Sequence, residues 1–239
     1  MYKIRGVVLG AGIIGLALLS LAVQPTKTQM GPVVSAEPQQ ALSLAPFTSI
    51  ELDGGVKAML QYGSPQRVTL LKGNGDTSLI AVTQERLLIE KCRDKCPRGY
   101  ELQVEIVTPR INAISATNGG LIESRGNFPL QPAMSLAVRH GGTVDARAIL
   151  ANNITSAVNQ GGRILAKPQI TMVASVSNGG VITYWGDARV TSSTEHGGIV
   201  SKGAAGDLDK PLSDVEEPSC TPDTPARPAG AKRSRTIVI

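Results

Sequence analysis

The chain has 239 residues with a formal net charge of +5, and 41% of its residues are hydrophobic. Lys and Arg are dispersed along it, so the composition does not favour a nucleic-acid partner. Three cysteines and two histidines offer few soft metal ligands, and aromatic residues make up only 3% of the chain. This scarcity argues against a sugar-binding groove built on aromatic platforms.

The first segment, residues 1–24, is predicted to direct export. Lys3 and Arg5 precede an uncharged apolar stretch that ends at Val23. A basic start followed by an apolar run is typical of a signal peptide, and the length of the run is also near the lower limit for a membrane span. Ser20-Leu21-Ala22 offers a cleavage site, so a cleaved signal and a retained N-terminal anchor both stay open. Either one places the rest of the chain in the periplasm or at the cell surface.

Residues 25–46 carry Pro and Gln without periodicity and are predicted to be a linker. The folded domain is predicted to span residues 47–204. Residues 205–239 are rich in Pro, Ser, Thr and charge, and we expect a disordered tail because they cannot bury enough apolar surface to offset ordering. The tail ends in Thr236-Ile237-Val238-Ile239, which is either a loose end or a segment for strand addition to a partner.

Alternating apolar residues predict six short strands in the first half of the domain. They lie near residues 47–52, 56–62, 68–71, 79–82, 87–89 and 102–107. Turn sequences rich in Gly, Asn, Asp and Pro separate them.

A Gly-Gly pair returns five times in the second half, at intervals of about 20 residues, which is the signature of a repeat architecture. The first glycines of the pairs are Gly119, Gly141, Gly161, Gly179 and Gly197. A β-branched residue follows each pair at the second position: Ile122, Val144, Ile164, Ile182 and Val200. A polar residue directly precedes each pair: Asn118, His140, Gln160, Asn178 and His196. Two short strands and one glycine corner per repeat are therefore expected.

An interval of about 20 residues is too short for a strand–helix–strand unit. It fits one turn of a right-handed parallel β-helix, in which the β-branched column forms a continuous core and the polar column forms a side-chain ladder at the corners. We therefore predict an all-β fold, a short β-solenoid over residues 111–202 preceded by a run of short strands. Five unrelated hairpins with glycine turns are the alternative.

The residues also resemble a known family, the bacterial head GIN domains, described as adhesin head domains of autotransporters. The stretches that carry the resemblance are Phe47–Leu52, Gly73-Asn74-Gly75-Asp76, Leu87–Ile89 and Val181–Val190 with the glycine pair after it. The resemblance covers residues 47–202 and implies a right-handed parallel β-helix. It brings no catalytic residues, and the long tail and the Cys92–Cys96 pair depart from the family pattern.

Cys92 and Cys96 are predicted to form a local disulfide, because export places them in an oxidising compartment. Basic neighbours would favour a thiolate, so a redox-active pair is the alternative. Cys220 has no local partner and could form an intermolecular bridge.

His140 and His196 share the corner column but lie three repeats apart, too far for one metal ion or one proton relay, so we expect corner-ladder residues. Glu123 and Asp145 share an outward column on adjacent repeats. Stacked carboxylates could act as an acid–base pair or bind calcium, but we expect a solvated face.

No Gly-x-Ser-x-Gly, phosphate loop or paired-histidine motif occurs. We therefore predict no catalytic, cofactor or metal site, and an exported non-enzymatic domain that presents an interaction or adhesion surface at the cell envelope. Its expected partner is an envelope protein or glycan, with contact to the membrane through the apolar N-terminal segment. The alternative is a polysaccharide lyase or hydrolase on a β-helix scaffold, by analogy of fold.

Overall fold

The computed structural model describes residues 39–92 and 96–214. The predicted leader, most of the linker and the tail beyond residue 214 lie outside these described residues. Within the described ranges, no helix has the length and apolar character that a membrane crossing requires.

The described chain is all-β, and its fifteen strands belong to one mixed sheet. The strands are β1 (Gln40–Leu42), β2 (Ser49–Asp53), β3 (Lys57–Tyr62), β4 (Arg67–Lys72), β5 (Leu79–Thr83), β6 (Arg86–Glu90), β7 (Gln103–Thr108), β8 (Ala113–Thr117), β9 (Leu121–Arg125), β10 (Gln131–Arg139), β11 (Thr143–Asn159), β12 (Arg163–Ser177), β13 (Val181–Tyr184), β14 (Arg189–Thr194) and β15 (Ile199–Lys202). Two short 3-10 turns, Ala205–Asp207 and Leu212–Asp214, follow β15.

Two parallel ladders run through the sheet. The first ladder joins β6, β2, β8, β10, the second half of β11, the second half of β12, and β14. The second ladder joins β7, β3, β9, the first half of β11, the first half of β12, β13 and β15. Both long strands bend from one ladder into the other, and the register of β11 against β12 shifts between Asp145 and Leu150. Antiparallel strands β5 and β4 pair with β6 and β7.

The core contains the column that was predicted to point inward. Ile122, Val144, Ile164 and Ile182 are each 0% exposed and take successive register positions in the second ladder. Val200 continues the column at the last strand and is half-buried. Because parallel strands stack about 4.8 Å apart, each side chain covers apolar surface that a single strand could not bury alone.

Each corner is a left-handed turn made by the polar residue and the first glycine. All five polar corner residues have φ between 48° and 58°, and the first glycines have φ between 77° and 82°. The N–H of Gly120 donates to the carbonyl oxygen of Thr117 (3.0 Å), which closes a two-residue turn. Positive φ at both central residues is the requirement of a type I′ turn, for which Asn-Gly is a preferred sequence. The polar column is therefore selected because these residues tolerate a positive φ. The sequence alone predicts positive φ only at the glycines.

The predicted ladder of corner side chains differs from what the structure shows. The amide of Asn118 donates to Asp53 Oδ1 (2.6 Å), and that of Asn178 donates to Asn159 Oδ1 (3.5 Å). Both acceptors lie one position before the corner on the neighbouring strand of the first ladder. His140 and His196 do lie at corners, as expected, and both are exposed.

Strands occur at all six positions predicted in the first half, as β2 to β7. They are not a separate run, however, because β2, β3, β6 and β7 extend the same two ladders. Strand β1 lies before residue 47 and pairs with β4, and Leu208 and Leu212, beyond residue 204, pack against Leu165 and Trp185.

Replacing Gly162 by alanine is expected to destabilise the protein more than replacing Gly161. A Cβ at Gly161 would meet no atom within 4 Å, so its cost is that of a left-handed alanine, about 1–2 kcal/mol. A Cβ at Gly162 would lie 2.6 Å from the carbonyl oxygen of Gly142, and this overpacking adds about 1–3 kcal/mol. Urea unfolding of the two variants measures the difference, and equal losses would show that neighbouring corners do not stack closely.

Candidate functional site

The outward column of the second ladder carries the candidate site. Glu123, Asp145, Leu165 and Thr183 take successive register positions, so the predicted pairing of Glu123 with Asp145 is confirmed. The expected solvated face is wrong, because Asp145 is 6% exposed and Leu165 is fully buried. Another part of the chain therefore covers this face.

Asp145 is held in a buried ion pair with Arg147, two residues further along β11. The Arg147 guanidinium donates through Nη2 to Asp145 Oδ2 (2.6 Å) and through Nε to Oδ1 (2.9 Å). The backbone N–H of Arg147 donates to the same Oδ1 (3.1 Å). The two side chains are 8% and 9% exposed. A bidentate pair with further hydrogen bonds is the geometry that offsets the desolvation of two buried charges.

The cover is the segment of residues 203–214, which we call the cover segment. Arg147 Nη1 donates to the carbonyl oxygens of Asp207 (2.8 Å) and Leu208 (3.0 Å). Trp185 Nε1 donates to the carbonyl oxygen of Ala204 (2.8 Å). Arg147 of β11 and Trp185, which directly follows β13, thus hold three backbone carbonyls of the cover segment.

A second, small apolar cluster lies beneath the cover segment. Leu165 and Trp185 form its buried part, and Leu208 and Leu212 pack against them. The Arg147 guanidinium carbon lies 5.6 Å from the centre of the Trp185 ring, a cation–π distance. Gly203 enters the segment against the face of the indole, where a side chain would collide with the ring.

A groove of about 1020 Å³ runs between the sheet and one side of the cover segment. Strands β9 and β12 contribute Glu123, Arg125 and Lys167, and the loop after β9 contributes Asn127. The cover segment contributes residues 208–213. Glu123 is paired with Arg125 (3.3 Å). No carboxylate in the described part of the chain pairs with Lys167, so the groove presents one ammonium group that a ligand can use.

An exposed ion pair lies at the start of the cover segment. Lys202 Nζ donates to Asp187 Oδ1 (2.8 Å). This hydrogen bond, followed by the Coulomb attraction, lowers the pKa of Asp187 and raises the pKa of Lys202. Both side chains are exposed, so solvent screens the pair and its effect on stability is small.

The predicted cysteine pair lies apart from the groove. The Cα atoms of Cys92 and Cys96 are 5.5 Å apart, within the range of a disulfide, and their sulfur atoms lie at bonding distance. Cys220 lies outside the described residues. Among the residues that the structure describes, no three His, Cys, Asp or Glu side chains are arranged to hold a metal ion.

Sequence reasoning missed Arg147, Trp185 and the cover segment. Arg147 follows Asp145 by two residues, so strand alternation placed both on one face. Leu208 and Leu212 were two leucines in a segment of small, proline and charged residues. These signals were present, but nothing in the sequence connected positions about 60 residues apart.

No family model matches the sequence, and no curated protein is significantly similar to it. Among solved structures, a "putative adhesin" from Bacteroides fragilis has a TM-score of 0.40 and 16% identity, covering 69% of this chain and 95% of that chain. A "putative adhesin" from Parabacteroides merdae has a TM-score of 0.31 and 13% identity, covering 70% and 96%. A "putative cell adhesion protein" from Clostridium sporogenes has a TM-score of 0.28 and 8% identity, covering 69% and 98%. Likenesses at this level establish neither a family nor a function.

Arg147→Met is expected to lower the free energy of unfolding by about 3 kcal/mol, because it leaves Asp145 buried without a counter-ion. Arg125→Met is the control: it removes an arginine whose side chain is 59% exposed, and its effect is expected to stay below about 1 kcal/mol. Adding Asp145→Leu to Arg147→Met should recover more than half of the loss. Chemical denaturation measures all three, and similar losses for Arg147→Met and Arg125→Met would contradict the buried pair.

The Cys92–Cys96 disulfide remains a prediction that peptide mapping checks. Digestion of the non-reduced, alkylated protein is expected to yield one cross-linked peptide that contains both residues. Alkylated thiols at both positions in freshly isolated protein would refute the pairing.

Proposed function

We propose that this protein is an exported, non-enzymatic domain that presents an interaction or adhesion surface at the bacterial cell envelope. The groove between the sheet and the cover segment carries this proposal. It combines the ammonium group of Lys167 with apolar side chains, the amide of Asn127 and the carboxylate of Asp209 on a scaffold of paired strands. A rigid scaffold with a groove at its surface is the usual setting of a binding site.

The state of the two carboxylates supports a binding role over catalysis. Asp145 accepts three hydrogen bonds from Arg147, and Glu123 is paired with Arg125. A general acid or base must exchange a proton with a substrate within hydrogen-bond reach. Neither carboxylate is placed to do so while its arginine holds it.

We further propose that residues 47–204 form a right-handed parallel β-helix of the head GIN type. The two parallel ladders, the bends in β11 and β12 and the repeated corners support this proposal. Right-handed crossover between parallel strands is by far the commoner hand. The signal-peptide pattern of residues 1–24 supports export to the periplasm or the cell surface.

Attachment to envelope material tests the proposal. The purified protein is mixed with washed cell-envelope fragments of the producing bacterium and sedimented, and the bound fraction is measured. Lys167→Glu is expected to reduce the apparent affinity at least fivefold by reversing the charge in the groove. Lys57→Glu, an exposed lysine outside the groove, makes the same charge change and should leave attachment unaltered.

The same fragments test the polysaccharide-active alternative, since Glu123 and Asp145 lie side by side at the groove. Release of soluble sugar is followed by a reducing-end assay over several hours. We expect none. Sugar release that Glu123→Gln abolishes would establish the lyase or hydrolase, and failure of the parent protein to sediment would overturn the adhesion role.

A further inference from the structure

The cover segment contacts the sheet in the way that a bound peptide contacts its receptor. Its backbone carbonyls at Ala204, Asp207 and Leu208 accept hydrogen bonds from receptor side chains. Its two leucines, Leu208 and Leu212, are four residues apart and both pack on one apolar cluster. Backbone contacts hold the segment in place while the leucines fill a hydrophobic site, which is the division of labour in peptide recognition.

The cover segment is attached more weakly than the strands beneath it. Neither of its 3-10 turns contains a buried residue, and its side chains are half-buried at most. Segments with few buried apolar contacts open at a free energy well below that of global unfolding. Detachment of this segment therefore does not require the ladders to open.

The face beneath it is built to be covered. Leu165 is 0% exposed and Trp185 is 3% exposed, so opening would place a large apolar surface in water. Thr183, on the same outward column, is 5% exposed, and its hydroxyl has no hydrogen-bond partner among the described residues. A buried unpaired hydroxyl costs free energy, so the cover segment leaves unused a polar group that another occupant could bind.

We infer that residues 203–214 are an internal occupant of a peptide-docking face, and that a peptide segment of another protein with the same chemistry displaces them. The matching peptide carries two leucine-sized side chains four residues apart, and carbonyl oxygens at and before the first one that keep a lone pair for the receptor. In the cover segment the carbonyl oxygens of Ala204 and Asp207 also accept from the backbone N–H groups of Asp207 (3.0 Å) and Lys210 (3.4 Å), so a turn conformation is compatible with these contacts. This inference rests on the proposed interaction role and specifies the kind of partner.

Competition from the tethered segment sets the affinity that the partner needs. A short tether gives the cover segment an effective concentration in the millimolar range. An external peptide that matched it contact for contact would therefore displace it only at comparable concentration. A partner gains its advantage from contacts that the cover segment does not make, and the Thr183 hydroxyl is one available contact.

The test detaches the cover segment without changing any residue of the face beneath it. Leu208→Asp with Leu212→Asp, made in the full chain, removes both leucines that anchor the cover segment. Trp185 is the single tryptophan of the chain, so its fluorescence reports directly on the face. We expect the emission maximum to shift to longer wavelength in this variant. A synthetic peptide of residues 203–214 should then shift it back in a saturable titration.

Two controls identify the contacts. The same peptide with aspartate at both leucines should not bind. Adding Arg147→Met together with Asp145→Leu to the double variant, which removes the donor without leaving an unpaired buried charge, should weaken peptide binding at least tenfold. Unchanged Trp185 emission in the double variant, or no response to the intact peptide, would overturn the inference. A concentration-dependent dimer of the parent protein with exchanged cover segments would also overturn it, because the occupant would then be a second copy.

Hydrogen exchange of the parent protein gives a second measurement if circular dichroism shows that the double variant is unfolded. Amides of Asp207 and Leu208 are expected to exchange at least 100-fold faster than ladder amides such as that of Arg163. Equal protection would contradict a separately opening segment. Sedimentation with envelope fragments is unaffected by either result, so failure of this inference is distinguishable from failure of the proposed function.

Discussion

The close stacking of each corner on the one before it is the constraint on which the rest of the structure depends. A Cβ at Gly162 would lie 2.6 Å from the carbonyl oxygen of Gly142 in the neighbouring corner, and a Cβ at Gly180 would lie 2.5 Å from Val158 Cγ1. The absence of a side chain therefore lets the corners stack at the spacing of paired strands. Each corner joins a strand of the first ladder to a strand of the second, so the stacked corners hold both ladders in register. Inward and outward columns then follow from strand alternation. The core and the candidate site therefore lie on opposite faces of the same strands.

Much of this could be predicted from the sequence, because local preferences and the global fold agree in the second half. The β-branched column and the glycine pairs each have one conformational role, and they identified the buried positions Val144 and Ile164 correctly. The first half was harder to interpret. Strands β4 and β5 are antiparallel insertions between ladder strands, so no constant interval marks the ladder there. The turn at Gly54-Gly55 is also one residue out of step with the corner at Gly119-Gly120.

The candidate site was predicted only in its first element, the shared column of Glu123 and Asp145. Whether an outward carboxylate is solvated depends on what covers the sheet, and here the cover comes from residues about 60 positions later. Burial changes what Asp145 can do. An exposed carboxylate could bind a cation or move a proton, whereas a buried one needs a counter-ion to stay ionised. Arg147 provides that charge and still has a guanidinium edge left for the cover segment.

The Arg147 guanidinium binds Asp145 through Nε and Nη2 and the cover segment through Nη1, so it links the ion pair to one wall of the groove. While the cover segment is in place, Arg147 cannot leave Asp145 without leaving a buried charge unpaired, so the ion pair fixes the position of the guanidinium. The cover segment, in contrast, is attached through carbonyl groups that water can satisfy equally well, and its remaining attraction is apolar. The donors are held in place by the ion pair, whereas the acceptors of the cover segment can exchange their hydrogen bonds for water. Because residues 208–213 also form one wall of the groove, movement of the cover segment changes the shape of the proposed binding site and exposes the Asp145–Arg147 pair to water.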